Sequence, residues 1–211
     1  VAVGEGRILA VGARNEIERR FQARNRVDAP NAVLMPGLVN THAHAPMSLF
    51  RGLADDLKLQ DWLEKHIFPA EAKYVNAEFV RWGTRLACLE MALSGTTTYA
   101  DMYYFEDVVA EATRQAGLRG VLGETILRFP SPDSKTPAEA LAYTERFIQK
   151  YRNDSLIVPA PAPHALYTND DAVLKEARSL ANRYGVPLLI HISETEEERN
   201  NAVRERGASP V

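Results

Sequence analysis

Cysteine is almost missing: Cys88 stands alone in 211 residues. The chain can therefore close no internal disulfide and build no thiolate metal cage, which suits a reducing compartment and a cytoplasmic protein. Long apolar runs are absent too. No stretch approaches the roughly 18 residues a membrane span needs, and the opening VAVGEGRILAVG lacks the basic-then-apolar order of a signal peptide. An initiator methionine is also lacking, so the chain reads as a piece of something longer. Charge of a single sign is scarce: 25 Lys and Arg face 28 Asp and Glu for a net charge of −3, with the two signs interspersed. Without a basic stripe or a polybasic run, neither nucleic acid nor a membrane surface is expected as a partner, and a small-molecule substrate is. There is no phosphate-binding loop, dinucleotide glycine fingerprint or serine elbow. What is present, 45% hydrophobic and 25% charged residues, is enough to bury a substantial core.

Val1 to Asp28 reads as short strands around a turn at Gly4 and Gly6, a small β-appendage. From Ala32 the pattern changes to short apolar strands alternating with longer helical periods, the signature of βα units on a parallel sheet. Strands are predicted at Val33 to Asn40, Thr97 to Met102, Gly120 to Thr125, Leu156 to Pro161 and Pro187 to Ile192. Thr136-Pro137-Ala138-Glu139 has the form of a helix N-terminus, with Asn76 and Asn169 as similar caps, and Gly95, Gly117 and Gly185 fall where helices should stop. The run ETEEER within Ser193 to Gly207 reads as a solvated helix face. The expected organisation is residues 1–31 as the N-terminal part of a β-sandwich and 32–211 as the first five βα units of a barrel. A closed (β/α)8 barrel needs eight strands and about 250 residues, so an α/β barrel truncated after about its fifth unit is expected.

In Pro36-Gly37-Leu38-Val39-Asn40-Thr41-His42-Ala43-His44 an apolar strand runs into two histidines one residue apart. Alternate strand residues share a face, with Cα atoms roughly 6.6–6.8 Å apart, so both imidazoles can reach one ion at about 2.0–2.1 Å. The C-terminal ends of barrel strands are where active sites lie. A second apolar strand carries His191, with Glu194 three positions on. By itself His191 reads first as a core histidine; beside His42 and His44 it supplies a third imidazole, and three imidazoles with an open position describe a catalytic zinc-type site. A bound divalent ion lowers the pKa of water from 15.7 toward about 7, which makes hydroxide available at neutral pH. Glu194 is the candidate to take the water's proton and deliver it to a leaving nitrogen. His164, in APAPHALY, follows the fourth strand at the same end and is a candidate to polarise substrate, the alternative being a loop histidine that caps a helix. His66 reads as exposed, Cys88 as a packing residue, and Trp62 and Trp82 as core or pocket wall.

The segment PGLVNTHAHAPMSLFRGLADDLKLQDWLEKHIFPAE, with SGTTTYADMY, APHALYT and LLIHISET, resembles the methylthioadenosine/S-adenosylhomocysteine deaminase and chlorohydrolase group of the amidohydrolase superfamily, over essentially the whole chain. The resemblance implies a metal-dependent barrel hydrolase acting on carbon–nitrogen bonds, an aminohydrolase that deaminates an adenine nucleoside (S-adenosylhomocysteine, methylthioadenosine or adenosine) with release of ammonia. It makes His42, His44 and His191 metal ligands, Glu71 and His164 substrate contacts, and Glu194 both substrate contact and proton shuttle. Glu71 gains its role from the resemblance alone. The group's substrate-contacting arginine has no secure counterpart, Arg128 being near and Ser134 to Pro137 filling the expected loop. The bridging lysine of two-metal members is missing from APAPH, so one divalent ion is expected, zinc first, with ferrous iron and manganese as alternatives.

The group's sixth-strand histidine and eighth-strand aspartate lie beyond Val211, so residues 1–211 in isolation are expected to be inactive. Hydrolysis of a triazine or another nucleobase is the rival chemistry, and a non-catalytic α/β module the rival of another class. Strand edges and faces left open by a half barrel favour self-association, which puts a homo-oligomer among the expected partners.

Overall fold

A computed structural model describes residues 1–211 and divides into two compact units, Val1–Pro36 and Gly37–Val211. In the first, strands β1 (Ala2–Gly4) and β2 (Arg7–Ala10) pair antiparallel. The residues between them, Glu5 and Gly6, both have positive φ (52° and 72°), as a tight two-residue hairpin of the mirror-image type requires. The all-strand reading of this region fails at helix α1 (Arg14–Arg20). Its charges explain the helix: Glu16 lies in the first turn, Arg19 and Arg20 in the last, and Arg14 pairs with Glu18 one turn away at 2.9 Å.

The second unit is a four-stranded sheet, β3 (Leu38–Ala43), β4 (Thr96–Tyr103), β5 (Arg119–Ile126) and β6 (Ile157–Pro163), paired in that order and parallel throughout. Between β3 and β4 the chain forms a 3₁₀ turn (Ala45–Phe50), α2 (Leu59–Trp62), a π-helical turn (Leu63–Ile67), α3 (Phe68–Tyr74) and the long α4 (Ala77–Ser94). Helix α5 (Glu106–Ala116) joins β4 to β5, and α6 (Pro137–Tyr151) joins β5 to β6. Helices α7 (Asp171–Tyr184) and α8 (Glu196–Arg206) follow. Sequential parallel strands that lie side by side, each pair joined through helices, are the winding of a barrel wall.

Local chemistry accounts for the element ends. Asn76 Oδ1 accepts from the amides of Glu78 and Phe79 at 2.9 and 3.0 Å, and Thr136 Oγ1 from Glu139 at 3.2 Å. Gly95, Gly117 and Gly185 close α4, α5 and α7 in the left-handed conformation. Asn169 does not cap α7. Asp170 holds that position, and the Asn169 side chain is buried, its Nδ2 donating to the Ile126 carbonyl at 3.0 Å.

The core lies between the sheet and helices α4 to α6, where Val80, Tyr99, Val109, Leu122 and Ile148 are fully buried. Tyr99 keeps its hydroxyl satisfied by Thr113 Oγ1 at 2.5 Å. Gly83 lets α4 press on the turn after β3, since a Cβ there would sit 2.3 Å from the Pro46 carbonyl oxygen. Trp82 is not core: it is 55% exposed, with the Arg85 guanidinium 5.0 Å from its ring centroid.

Two strand expectations shift. The strand expected from Val33 starts at Leu38, because Val33 to Met35 belong to the other unit and lie exposed. The stretch Pro187 to Ile192 forms no regular strand. It runs along β6 through Leu189 N to Pro161 O (3.1 Å) and His191 N to His164 O (2.9 Å), and closes one parallel bridge, Ala165 to His191. Pro187 has no amide to add to that ladder. No helix is long and apolar enough to cross a membrane.

Candidate functional site

At the C-terminal end of the sheet His42 is the fifth residue of β3, and His44 follows the strand's last residue, leading into the 3₁₀ turn. His191 comes to them from the bridge beside β6. One potential ligand nitrogen from each lies within 4.8 Å of the others, and the three ring centroids are 5.1 Å apart pairwise. His42 Nε2 and His44 Nε2 are separated by 3.2 Å. Two nitrogens bound at about 2.0–2.1 Å to a tetrahedral ion would be about 3.4 Å apart, so the pair is already at ligand spacing.

The other ring nitrogens explain the orientation. His44 Nδ1 sits 2.7 Å from the Met102 carbonyl oxygen, and His191 Nδ1 3.1 Å from that of His164. A carbonyl can only accept, so each ring donates from Nδ1 and presents Nε2 with a free lone pair, the arrangement in which metal-binding histidines are held. Burial holds His44 down to about 4 and His164 to about 3, and lowers His191 as well. These imidazoles are therefore neutral at physiological pH, as ligation requires.

A cleft open to solvent is lined by His44, His164 and His191 together with Glu71, Tyr167 and Glu194. The set named from sequence thus converges, apart from His42 at its edge. Glu71, on α3, is 5% exposed and accepts from the Tyr104 hydroxyl at 3.3 Å. Burial pushes its carboxyl up to about 7, against the pull of that hydroxyl. His164 ends β6. Its ring stands 4.9 Å from that of His191, its Nδ1 is 3.0 Å from Thr168 Oγ1, and its carbonyl takes both the amide and Nδ1 of His191. Glu194 lies exposed at the mouth, its Oε2 accepting from the Tyr167 hydroxyl at 2.7 Å. Glu198, within the supposedly solvated acidic run, turns inward instead: it is 7% exposed and its Oε2 accepts the Glu194 amide at 2.8 Å. Trp62 is pocket wall, His66 is exposed, and Cys88 is buried. Arg128 does not line this cleft; it pairs with Asp170 at 3.6 Å.

Sequence reasoning gave no role to Asp101, Tyr104 or Tyr167. Asp101, 1% exposed on β4, accepts the Ala45 amide on Oδ1 at 2.6 Å and so pins the turn that carries His44. An acid in the middle of the buried strand TTTYADMY was the available signal. Behind it Glu106 and Glu124 are fully buried, and Glu124 Oε2 accepts the Glu106 amide at 3.0 Å.

The chain is similar to several known proteins. The chain is 48% identical over 207 residues to 5-methylthioadenosine/S-adenosylhomocysteine deaminase 1 of Syntrophus aciditrophicus, covering 98% of this chain and 47% of that protein. It is 39% identical to the 5-methylthioadenosine/S-adenosylhomocysteine deaminase of Aquifex aeolicus, covering 100% and 48%. The chain thus spans about half the length of the curated relatives it matches. Among solved structures, an adenosine deaminase from Xanthomonas campestris with bound zinc superposes with a TM-score of 0.80 at 43% identity, over 83% of this chain and 40% of that one. A guanine deaminase from C. acetobutylicum shares the fold at a TM-score of 0.72 and 24% identity, over 82% and 43%. The amidohydrolase family profile matches residues 33–209. The chain belongs to the amidohydrolase family.

Proposed function

We propose that the full-length protein hydrolytically deaminates an adenine nucleoside of the S-adenosylhomocysteine, methylthioadenosine or adenosine type and releases ammonia. The observation that carries the reading is the triad of His42, His44 and His191, gathered within 4.8 Å with Nδ1 of two rings engaged by main-chain carbonyls. Identity of 48% to a methylthioadenosine/S-adenosylhomocysteine deaminase and of 43% to a zinc-containing adenosine deaminase supports the choice of substrate and ion. His42, His44 and His191 would hold one divalent ion, zinc. Such an ion supplies a Lewis acid that makes water a nucleophile at neutral pH.

The remaining residues have distinct tasks. Glu194 takes the proton of the attacking water and returns it to the departing nitrogen. His164, kept neutral by burial, donates or accepts a hydrogen bond to the purine without adding charge. Glu71, deep in the cleft and pushed up to about 7, meets the nucleoside's hydroxyl groups or ring nitrogens. The apolar wall of Leu59, Trp62 and Phe68 excludes water from the bound base. The small unit is read as the N-terminal part of a β-sandwich.

The test is ammonia release from S-adenosylhomocysteine, methylthioadenosine and adenosine by the full-length protein, before and after a chelator and again after zinc is restored. Turnover that disappears with the chelator and returns with zinc supports the proposal. A zinc-loaded protein that releases ammonia from none of the three overturns it.

A further inference from the structure

We propose that Tyr167 is a positioning residue for Glu194, anchoring one carboxylate oxygen so that the other is presented to the cleft for proton exchange. The inference rests on Glu194 being the proton-transfer group.

Glu194 sits on a short exposed segment between the bridge at His191 and helix α8, a place where a glutamate would ordinarily sample many rotamers. One backbone turn and two hydrogen bonds restrain it. Ser193 holds φ at 58°, a left-handed conformation that turns the chain sharply before Glu194. The Glu194 amide donates to Glu198 Oε2 at 2.8 Å, and Glu198 is fixed in turn because its own amide donates to Thr195 Oγ1 at 3.0 Å. With the backbone set, the carboxylate itself is held by the Tyr167 hydroxyl, 2.7 Å from Oε2.

The tyrosine is itself well placed to hold position. It belongs to the turn after β6 in which Thr168 Oγ1 accepts the Ala165 amide at 3.1 Å and meets His164 Nδ1 at 3.0 Å. Its ring stands edge-on to His164, centroids 5.9 Å apart at 85°. One turn therefore orients both His164 and Glu194. Burial and the adjacent Glu194 raise the phenol above its ordinary range, so the hydroxyl keeps its proton and acts as the donor. A group held in reacting geometry contributes through orientation, and a displacement of about 1 Å can cost about 100-fold in rate. Loss of the anchor should therefore lower turnover and leave substrate affinity alone.

The experiment compares wild type, Tyr167→Phe and Glu194→Gln of the full-length, zinc-loaded protein with S-adenosylhomocysteine, reading kcat, KM, zinc content and Tm. Glu194→Gln is expected to lose about 100-fold or more in kcat, the range of a missing general acid–base. Tyr167→Phe is expected to lose about 10-fold in kcat with KM within about twofold and with unchanged zinc content and Tm, since the ring is kept. Unchanged kcat in Tyr167→Phe overturns the inference. So does a raised KM at constant kcat, which would make the tyrosine a substrate contact, and so does a fall in Tm or zinc content that accounts for the loss. Failure of the underlying reading shows separately, as a wild type without turnover or a Glu194→Gln variant with full turnover, and it removes this inference with it.

Discussion

Two clusters of like groups meet at β4 and solve the problem of crowding in opposite ways. The imidazoles of His44 and His191 face an open cleft, both anchored through Nδ1 to main-chain carbonyls, with His42 beside them. The carboxyl groups of Asp101, Glu106 and Glu124 are closed off from solvent, and Asp101 Oδ2, both Glu106 side-chain oxygens and Glu124 Oε1 have no hydrogen-bond partner. Burial pushes Asp101 up to about 7 and Glu106 and Glu124 well above the usual carboxylate range, Glu106 also through the charge of Asp101. Burial favours the uncharged forms of His44 and His191 in the one set and of the three carboxyl groups in the other. The open cluster, made of bases, is suited to a cation; the closed one, made of acids, is suited to protons.

The sharpest way to break the comparison is to remove a base. Replacing His42, His44 or His191 with alanine in the full-length protein should weaken zinc binding by more than about 100-fold, beyond the roughly 10–100-fold that loss of a supporting partner costs. Chelator competition measures it, and near-normal affinity in any of the three would break the triad. Next comes the one acid that touches both regions. Asp101→Ala leaves the buried Ala45 amide without an acceptor, at about 1–3 kcal/mol of stability, and should weaken zinc by about 10–100-fold. Asp101→Asn keeps an acceptor oxygen and should recover most of both, as denaturant melts and zinc titration would show.

The acids by themselves should govern how stability depends on pH. A folded-state pKa raised above the unfolded value means the folded chain keeps protons that the unfolded chain has lost. For Asp101 the window opens near its ordinary value of 3.8 and closes at about 7, so this contribution to stability falls as pH rises across it. Glu106 and Glu124 extend the fall to higher pH. Glu106→Gln and Glu124→Gln should therefore flatten the decline, gaining most over wild type at pH 8 and least at pH 5 in thermal melts, with zinc affinity unchanged. Smallest of all is His66→Ala. This exposed imidazole, outside the cleft, should alter stability by no more than about 0.5 kcal/mol and leave zinc titration unchanged.

Much of the second unit was legible because its rules are local. Alternating strands and helices, the caps at Asn76 and Thr136 and the stops at Gly95, Gly117 and Gly185 all depend on neighbours in sequence. The histidines were legible through their spacing and their place at strand ends. What escaped depended on contacts made across the fold. The edge at Pro187 to Ile192 is as apolar as a strand yet has only two amides stitched to β6 or its end. Helix α1 is held by ion pairs rather than by an apolar stripe. Asp101 and Tyr167 matter through an amide and a carboxylate far along the chain, and no periodicity marks them. Glu198 read as solvated because its neighbours are charged, whereas helix α8 turns that one position inward.

The two stitches that carry His191 also bear on the order in which the chain assembles. His42 and His44 are placed by β3 against β4, whereas the third imidazole comes from the far end of the unit, beyond β5 and β6. Contacts between such distant residues close late, because the entropy of the intervening loop must be overcome first. An ion bridging all three rings would therefore fasten a structure already formed, slowing unfolding and leaving the rate of folding nearly untouched.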